Sequence, residues 1–380
     1  MKRVLVLGGG FGGLATAHTL RKLRPDDEII VVDRGTRFMV GFRKTWVLLG
    51  KSPLEAGQGY LPDLKQFGIQ FRQGTVTAIE PAARAVTVDG ERMEADAVVV
   101  ALGSRLATEL IPGFEEHAIN LYDPDNLDHA RQALESFSGG RVAVGVFGLP
   151  YKCPPAPYEI AILVNEYFRE RGVAAEVEVF TPLPMSLPIV GEAGCGVIEG
   201  RLAQHGVAFR PSHTATAVEA GEVVFGSERR AYDLILGVPA HRCPAVVVES
   251  GLTGESGWVE VNPRTLETSF PGVYAVGDVT AVMMSNGKPL PMAGVFAEGE
   301  GRVVAQRIAA DFDGRDAEAM FDGNGGCFLE VGNGEAMMVE GHFLAEPQPA
   351  VTLSDPDARY LHEKEQFEQK RLQQWFGKAT

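Results

Sequence analysis

The sequence predicts an α/β chain in which two tandem domains, each built from βαβ units on a parallel sheet, are followed by a C-terminal α+β region. Three observations carry this reading. A strand, glycine turn, helix and strand open the chain between Arg3 and Asp33. A second strand–turn–helix–strand pattern runs from Gly139 to Phe180. Gly272 to Asp278 then gives a late strand, with a helix after it that reads as a return to the first domain. The 380 residues exceed what one hydrophobic core usually serves, and 45% hydrophobic residues with 45 glycines suit a loop-rich α/β protein rather than a disordered one.

The elements follow in order. Arg3 to Leu7 is a strand, Gly8 to Gly12 a tight turn, Gly13 to Leu23 a helix, and Glu28 to Val32 a second strand ending on Asp33. Gly68 to Asp96 alternates short strand-like pieces with turns. Ala95 to Ala101 is an unbroken apolar run, the pattern of a parallel strand buried on both faces, and it ends at Gly103-Ser104. Arg141 to Phe147 is a strand, Tyr158 to Arg171 a helix, and Glu176 to Phe180 a strand. A helix from about Ala293 to Ala310 follows the late strand. Strand-like stretches at Cys327 to Val331 and Ala336 to Val339 and a charged final helix close the chain. The partition expected is 1–108 with 263–312, then 109–262, then 313–380.

Gly8-x-Gly10-x-x-Gly13 follows a strand, opens a helix, and has Asp33 about 20 residues on, at the end of the next strand. The three glycines serve different ends: Gly8 makes the turn, Gly10 allows close approach of a pyrophosphate, and Gly13 allows helix packing. The helix N-terminus supplies free N–H groups and a positive dipole end to phosphates, and Asp33 accepts from unphosphorylated ribose hydroxyls. Both domains therefore read as Rossmann-like and dinucleotide-binding. Gly277-Asp278, placed downstream of a second domain, favours FAD over NAD, with the carboxylate near a ribityl hydroxyl. Phe11, Gly12, Arg34, Val76, Ala101, Gly103 and Gly294 are further candidate cofactor contacts.

GGGFGGLATA, VVALGSR and GVYAVGDV resemble the three flavin-fold motifs of the pyridine nucleotide–disulfide oxidoreductase superfamily. That resemblance implies a tandem, glutathione-reductase-like pair of domains. Members that oxidise NAD(P)H carry a second GxGxxG. Here the corresponding turn reads FGLPYKCPPAPYE, whose prolines remove backbone donors, so a nicotinamide site is disfavoured. A cysteine on a proline-fixed loop before a helix stands in its place, where a helix dipole lowers a thiol pKa.

KCPPAPYE is similar to the corresponding segment of the sulfide:quinone reductase and flavocytochrome c sulfide dehydrogenase families. The resemblance implies that Cys153 lies near the flavin and pairs with Cys327, that hydrosulfide attacks this disulfide, and that the electron pair passes to the flavin. It assigns Cys327 as the persulfide carrier. Glu159 is either a proton acceptor, as the resemblance suggests, or an acid that complements the helix dipole, and both readings stay open. Cys195 reads as packing at a helix start, and Cys243 has no partner motif.

Three departures from the family pattern stand out. No third cysteine lies between Leu102 and Gly140, which argues against long polysulfide growth. Gly35 to Gly50 holds no cysteine for covalent attachment, so the FAD is expected to be noncovalent. Met292 stands where quinone reductases often place a lysine near the flavin.

The remaining expectations concern surroundings. A net charge of -15 without a basic cluster excludes nucleic acid, no metal-binding signature is present, and no apolar run approaches the roughly 18 residues of a membrane span. With no signal peptide read at the N-terminus, a cytoplasmic location is expected, and a small-molecule sulfur donor with quinone as electron acceptor. Cytochrome c or another acceptor, an NADH-dependent flavin dehydrogenase, and a flavin-binding protein without turnover are the alternatives. Tyr360 to Phe376 carries Leu361, Phe367, Leu372 and Trp375 as a narrow apolar stripe. Packing on the FAD domain is favoured for it over peripheral membrane contact, because Glu363, Glu365 and Glu368 repel anionic lipid. Homo-oligomerisation is left open.

Overall fold

A computed structural model describes residues 1–378. Its core is two five-stranded sheets, all of whose pairings are parallel. The first runs in the order 273–275, 97–100, 3–7, 28–33, 70–73. The second runs 119–120, 234–238, 140–146, 175–180, 208–210. Residues from both sides of the second sheet thus build the first. The apolar runs explain the buried positions: all of Ala97–Val100 and Leu234–Val238 are buried, as parallel strands covered on both faces require.

Element boundaries shift for local reasons. The first helix is Phe11–Leu23 and starts two residues earlier than expected, because Gly10 already acts as its N-cap. The helix after the proline-rich turn is Ala156–Glu170. Pro155 is its N-cap and Pro157 sits in its first turn, where a missing N–H breaks no helical hydrogen bond. The pieces between Gly68 and Asp96 resolve into Gln70–Gln73, which joins the first sheet, and an antiparallel meander of Val76–Glu80, Ala85–Val88 and Glu91–Glu94.

The C-terminal region is an antiparallel three-stranded sheet, Asn324–Glu330, Ala336–His342 and Ala350–Leu353, followed by the helix Ala358–Phe376. Asp357 caps this helix by accepting the Arg359 N–H at 2.8 Å, and Gly377 ends it in a left-handed conformation. Its stripe faces the protein. Trp375 is fully buried, with its ring 5.6 Å from that of Phe11 and 5.3 Å from that of Phe38. Glu368, expected on the surface, is instead buried against Arg43, with Nε 2.9 Å from Oε1. The membrane reading of this stripe therefore gives way to packing on the first sheet's unit. No helix among the described residues is long and apolar enough to cross a membrane.

Lys364, on the same stripe, is 1% exposed and lies between two carboxylates. Its Nζ is 2.8 and 2.9 Å from the two Glu159 oxygens and 2.8 Å from Glu330 Oε1. Glu330 also accepts from Trp46 Nε1 at 2.7 Å, and the Glu330 N–H donates to Glu159 at 2.9 Å. Lys364→Met leaves two buried carboxylates without their cation, and is expected to lower the unfolding free energy by about 3–5 kcal/mol. Urea denaturation followed by circular dichroism checks this, and a loss below about 1 kcal/mol contradicts it.

Candidate functional site

A cavity of about 450 Å³ opens where the glycine turn, the helix Arg43–Leu48, the proline-rich turn, the start of the helix Gly294–Phe312 and the strand Asn324–Glu330 converge. Gly10, Phe11, Gly12, Ala101, Gly103, Gly277, Asp278 and Gly294 line it, together with Cys153, Glu159 and Cys327. Five of the expected residues stand outside this lining. Gly8 and Gly13 lie behind the wall. Gly8 has φ +112°, and a Cβ there would sit 2.2 Å from the Ala101 carbonyl oxygen; a Cβ on Gly13 would sit 1.9 Å from the Gly8 oxygen. Both glycines permit close backbone packing. Asp33 accepts the N–H groups of Gly9 at 2.7 Å and Gly35 at 2.8 Å, at the outer end of the turn. Arg34 is exposed, and Val76 is buried in the apolar core beneath the first sheet.

The open part of the wall fits a dinucleotide with a flavin. A Cβ on Gly10 would meet nothing within 4 Å, so the backbone there faces open space. The helices Phe11–Leu23 and Gly294–Phe312 both begin without a side-chain cap and without an acid in their first turn, which leaves their N–H groups available at the cavity. Asp278 lines the cavity with a carboxylate that has no hydrogen-bond partner among the described residues, and burial raises its pKa. Behind it, Glu300 accepts the Gly277 N–H at 2.6 Å and is pushed up to about 7 by burial. Phosphate oxygens would be received by the glycine turn, and hydroxyls by Asp278.

Cys153, Cys327 and Glu159 line the same cavity. Cys153 has a left-handed φ of 52°. Its N–H donates to the Met292 carbonyl at 2.8 Å, and its own carbonyl accepts from Tyr122 Oη at 3.3 Å and from the Ala156 N–H at 3.0 Å. Cys327 lies on the strand Asn324–Glu330, and both cysteines are free thiols. The helix start does not lower the Cys153 thiol as the sequence suggested. Burial, joined by the Glu159 charge, pushes it up to about 11, outweighing Lys364, Lys44 and the Ala156 N–H. Burial also raises Cys327, with Cys153 and Glu159 adding to it. Cys195 is buried within the helix Gly191–Gln204, and Cys243 is buried in the core beneath the first sheet.

Sequence reasoning missed the cations of this site. Lys44 and Lys152 line the cavity, and Lys364 holds Glu159 from behind. Lys152 was in view as the neighbour of Cys153. Lys44 gave no local signal and Lys364 only its place in the periodic stripe of the last helix, since the surroundings of both come from distant segments.

Residues 2–301 match the family model described as pyridine nucleotide-disulphide oxidoreductase. The mitochondrial sulfide:quinone oxidoreductase of Mus musculus is 22% identical over 362 residues, covering 90% of this chain and 79% of that protein. The sulfide-quinone reductase of Aquifex aeolicus is 25% identical over 334 residues, covering 82% and 76%. The crystal structure of the sulfide:quinone oxidoreductase from Aquifex aeolicus superposes with a TM-score of 0.89 at 23% identity, over 99% of this chain and 92% of that one, which shows a shared fold. With its family model matched over most of its length, the chain belongs to the pyridine nucleotide–disulphide oxidoreductase family and is an FAD-dependent oxidoreductase.

Proposed function

We propose that this protein oxidises hydrosulfide through Cys153 and Cys327 and passes the electrons by way of noncovalent FAD to quinone. The observation that supports this reading is that Cys153 and Cys327 line a single cavity together with Gly10 and Asp278. In the oxidised pair, hydrosulfide attacks the Cys327 sulfur. The Cys153–Cys327 bond breaks, a new S–S bond forms, Cys327 carries the persulfide with its proton, and Cys153 leaves as a thiolate. Bound FAD would supply the two-electron acceptor for that thiolate. Glu159, buried on the same wall with its pKa raised by burial, accepts the persulfide proton while Lys364 fixes its carboxylate.

The helix Ala156–Glu170 argues against a nicotinamide dinucleotide at the second sheet. Two prolines remove N–H donors from its start, and the Glu159 carboxylate occupies its first turn. Residues 1–108 with 263–312 are taken as the unit that holds FAD, 109–262 as the unit that presents Cys153, and 313–380 as the part that delivers Cys327. A lipid-soluble acceptor suits a protein that works peripherally on a bilayer from the cytoplasmic side, and the C-terminal helix is not its anchor.

Anaerobic addition of sulfide to the FAD-loaded protein is expected to bleach the visible flavin band, and addition of NADH to leave it. Bleaching by NADH and not by sulfide overturns the reading. Cys153→Ser and Cys327→Ser should each abolish bleaching, and Glu159→Gln should slow it by about 10²–10⁴-fold while FAD stays bound. With the Cys153 thiol pushed up to about 11, its alkylation by iodoacetamide should keep accelerating above pH 9. A rate that levels off below pH 8, read by mass spectrometry of the Cys153 peptide, contradicts that assignment.

A further inference from the structure

Cations removed from solvent in this protein are matched to carboxylates: Arg43 to Glu368, and Lys364 to Glu159 and Glu330. Lys44 and Lys152, each half-buried, have no such match. Both line the cavity, and among the described residues neither ammonium lies within 4.0 Å of a carboxylate. Lys44 Nζ donates to the Tyr122 carbonyl at 3.2 Å and lies 5.2 Å from the centre of the Tyr122 ring. Tyr122 in turn donates to the Cys153 carbonyl, so Lys44 and the Cys153 loop are held by the same residue. Lys152 is joined to Cys153 by the chain itself.

An ammonium partly withdrawn from solvent without a counterion is unfavourable, and an arriving anion offsets that cost. Burial, with Lys152 adding repulsion, brings Lys44 down to about 7, against the opposing pull of Cys153, Asp123 and Asp278. Lys364 goes the other way, raised by its two carboxylates. Two cations on the lining that also bears the thiols, one already reduced in basicity by its surroundings, form a place that gains more from a small anion than from a neutral molecule. Glu159 has both of its oxygens on Lys364 and pairs with neither ammonium.

We propose that Lys44 and Lys152 form the docking site for the sulfur nucleophile in its anionic form, holding hydrosulfide against the cysteine wall. This rests on the sulfide-oxidising reading above and adds a selection to it: the cavity takes the sulfur anion in preference to the neutral thiol or dissolved hydrogen sulfide.

The test separates charge recognition from thiol reactivity. The FAD-loaded protein, with its cysteines reduced, is alkylated with iodoacetate and, separately, with iodoacetamide, and the Cys153 and Cys327 peptides are each quantified by mass spectrometry. The two reagents attack the same sulfur and differ chiefly in charge. The iodoacetate-to-iodoacetamide rate ratio is expected to fall by about five-fold in Lys44→Met and again in Lys152→Met, and to hold in Lys44→Arg, as loss of one charge a few ångströms away would give. An unchanged ratio in FAD-loaded Met variants overturns the proposal. Loss of FAD from these variants, with an unchanged ratio in the fraction that keeps it, assigns the lysines to the cofactor and overturns it equally. If Lys44→Met does not fold, Lys152→Met decides alone, since Lys152 lies outside the apolar core. The ratio involves no turnover, so it is independent of whether sulfide bleaches the flavin; failure of bleaching counts against the proposed function, and an unchanged ratio against this site.

Discussion

The ammonium of Lys364 between Glu159 and Glu330 is the interaction on which the cavity wall depends. It ties three separate segments: the helix after the proline-rich turn, the strand that carries Cys327, and the C-terminal helix. Burying one such charge is unfavourable, and a buried pair returns its desolvation cost only when the remaining oxygens are satisfied. Here they are. Glu159 takes the Glu330 N–H, and Glu330 takes the Trp46 indole N–H. The titration directions agree with that arrangement: Lys364 is raised by its carboxylates, and Glu330 is lowered by Lys364 and Trp46 in spite of burial. Glu159, flanked by a second carboxylate and more deeply desolvated, is raised. One cation shared by two acids leaves the group with a net negative charge, and Glu159 adds to burial in raising the pKa values of Cys153 and Cys327.

This network also settles what Glu159 is in the fold. As an acid in the first turn of a helix it complements the dipole, and as a ligand of Lys364 it locks the C-terminal helix onto the wall; the two roles are one placement. A carboxylate fixed this way can hold a proton without swinging. Position 292 works similarly through its main chain. Its side chain carries no charge, yet its carbonyl receives the Cys153 N–H and fixes the turn on which the thiol sits.

What could be read from the sequence was what local pattern determines. The first strand occupies the residues its apolar run marked, and the glycine spacing indicated close helix packing at Gly13, where a Cβ would sit 1.9 Å from the Gly8 oxygen. The cysteine loop was conspicuous because prolines stood where donors were expected. Lys364 and Glu368 were hidden by the same logic. In a helix rich in charge they read as solvated, although Tyr360, Lys364, Glu368 and Leu372 recur every four residues and share a face with Trp375. The signal was a stripe in which charge interrupts the apolar pattern; its partners, Arg43, Glu159 and Glu330, lie too far away in sequence for any local rule to pair them. The direction of the Cys153 shift failed for a related reason: a helix dipole is visible in sequence, and burial by distant segments is not.

The backbone of Cys153 shows how these constraints converge. A non-glycine residue at φ 52° carries strain of about 1–3 kcal/mol and persists only where its surroundings overdetermine it. Three contacts do so, from the Met292 carbonyl, the Tyr122 hydroxyl and the Ala156 N–H, and they come from the segment before the second cavity helix, from the residues following the strand Ile119–Asn120, and from the helix that bears Glu159. Relaxing the turn would require breaking contacts with several elements at once. The strained conformation therefore fixes where the sulfur points in the same way that Lys364 fixes the carboxylate behind it. A thiol of raised pKa held in this way is slow to react with whatever diffuses past, and its reactivity is reserved for partners that the cavity itself brings into line.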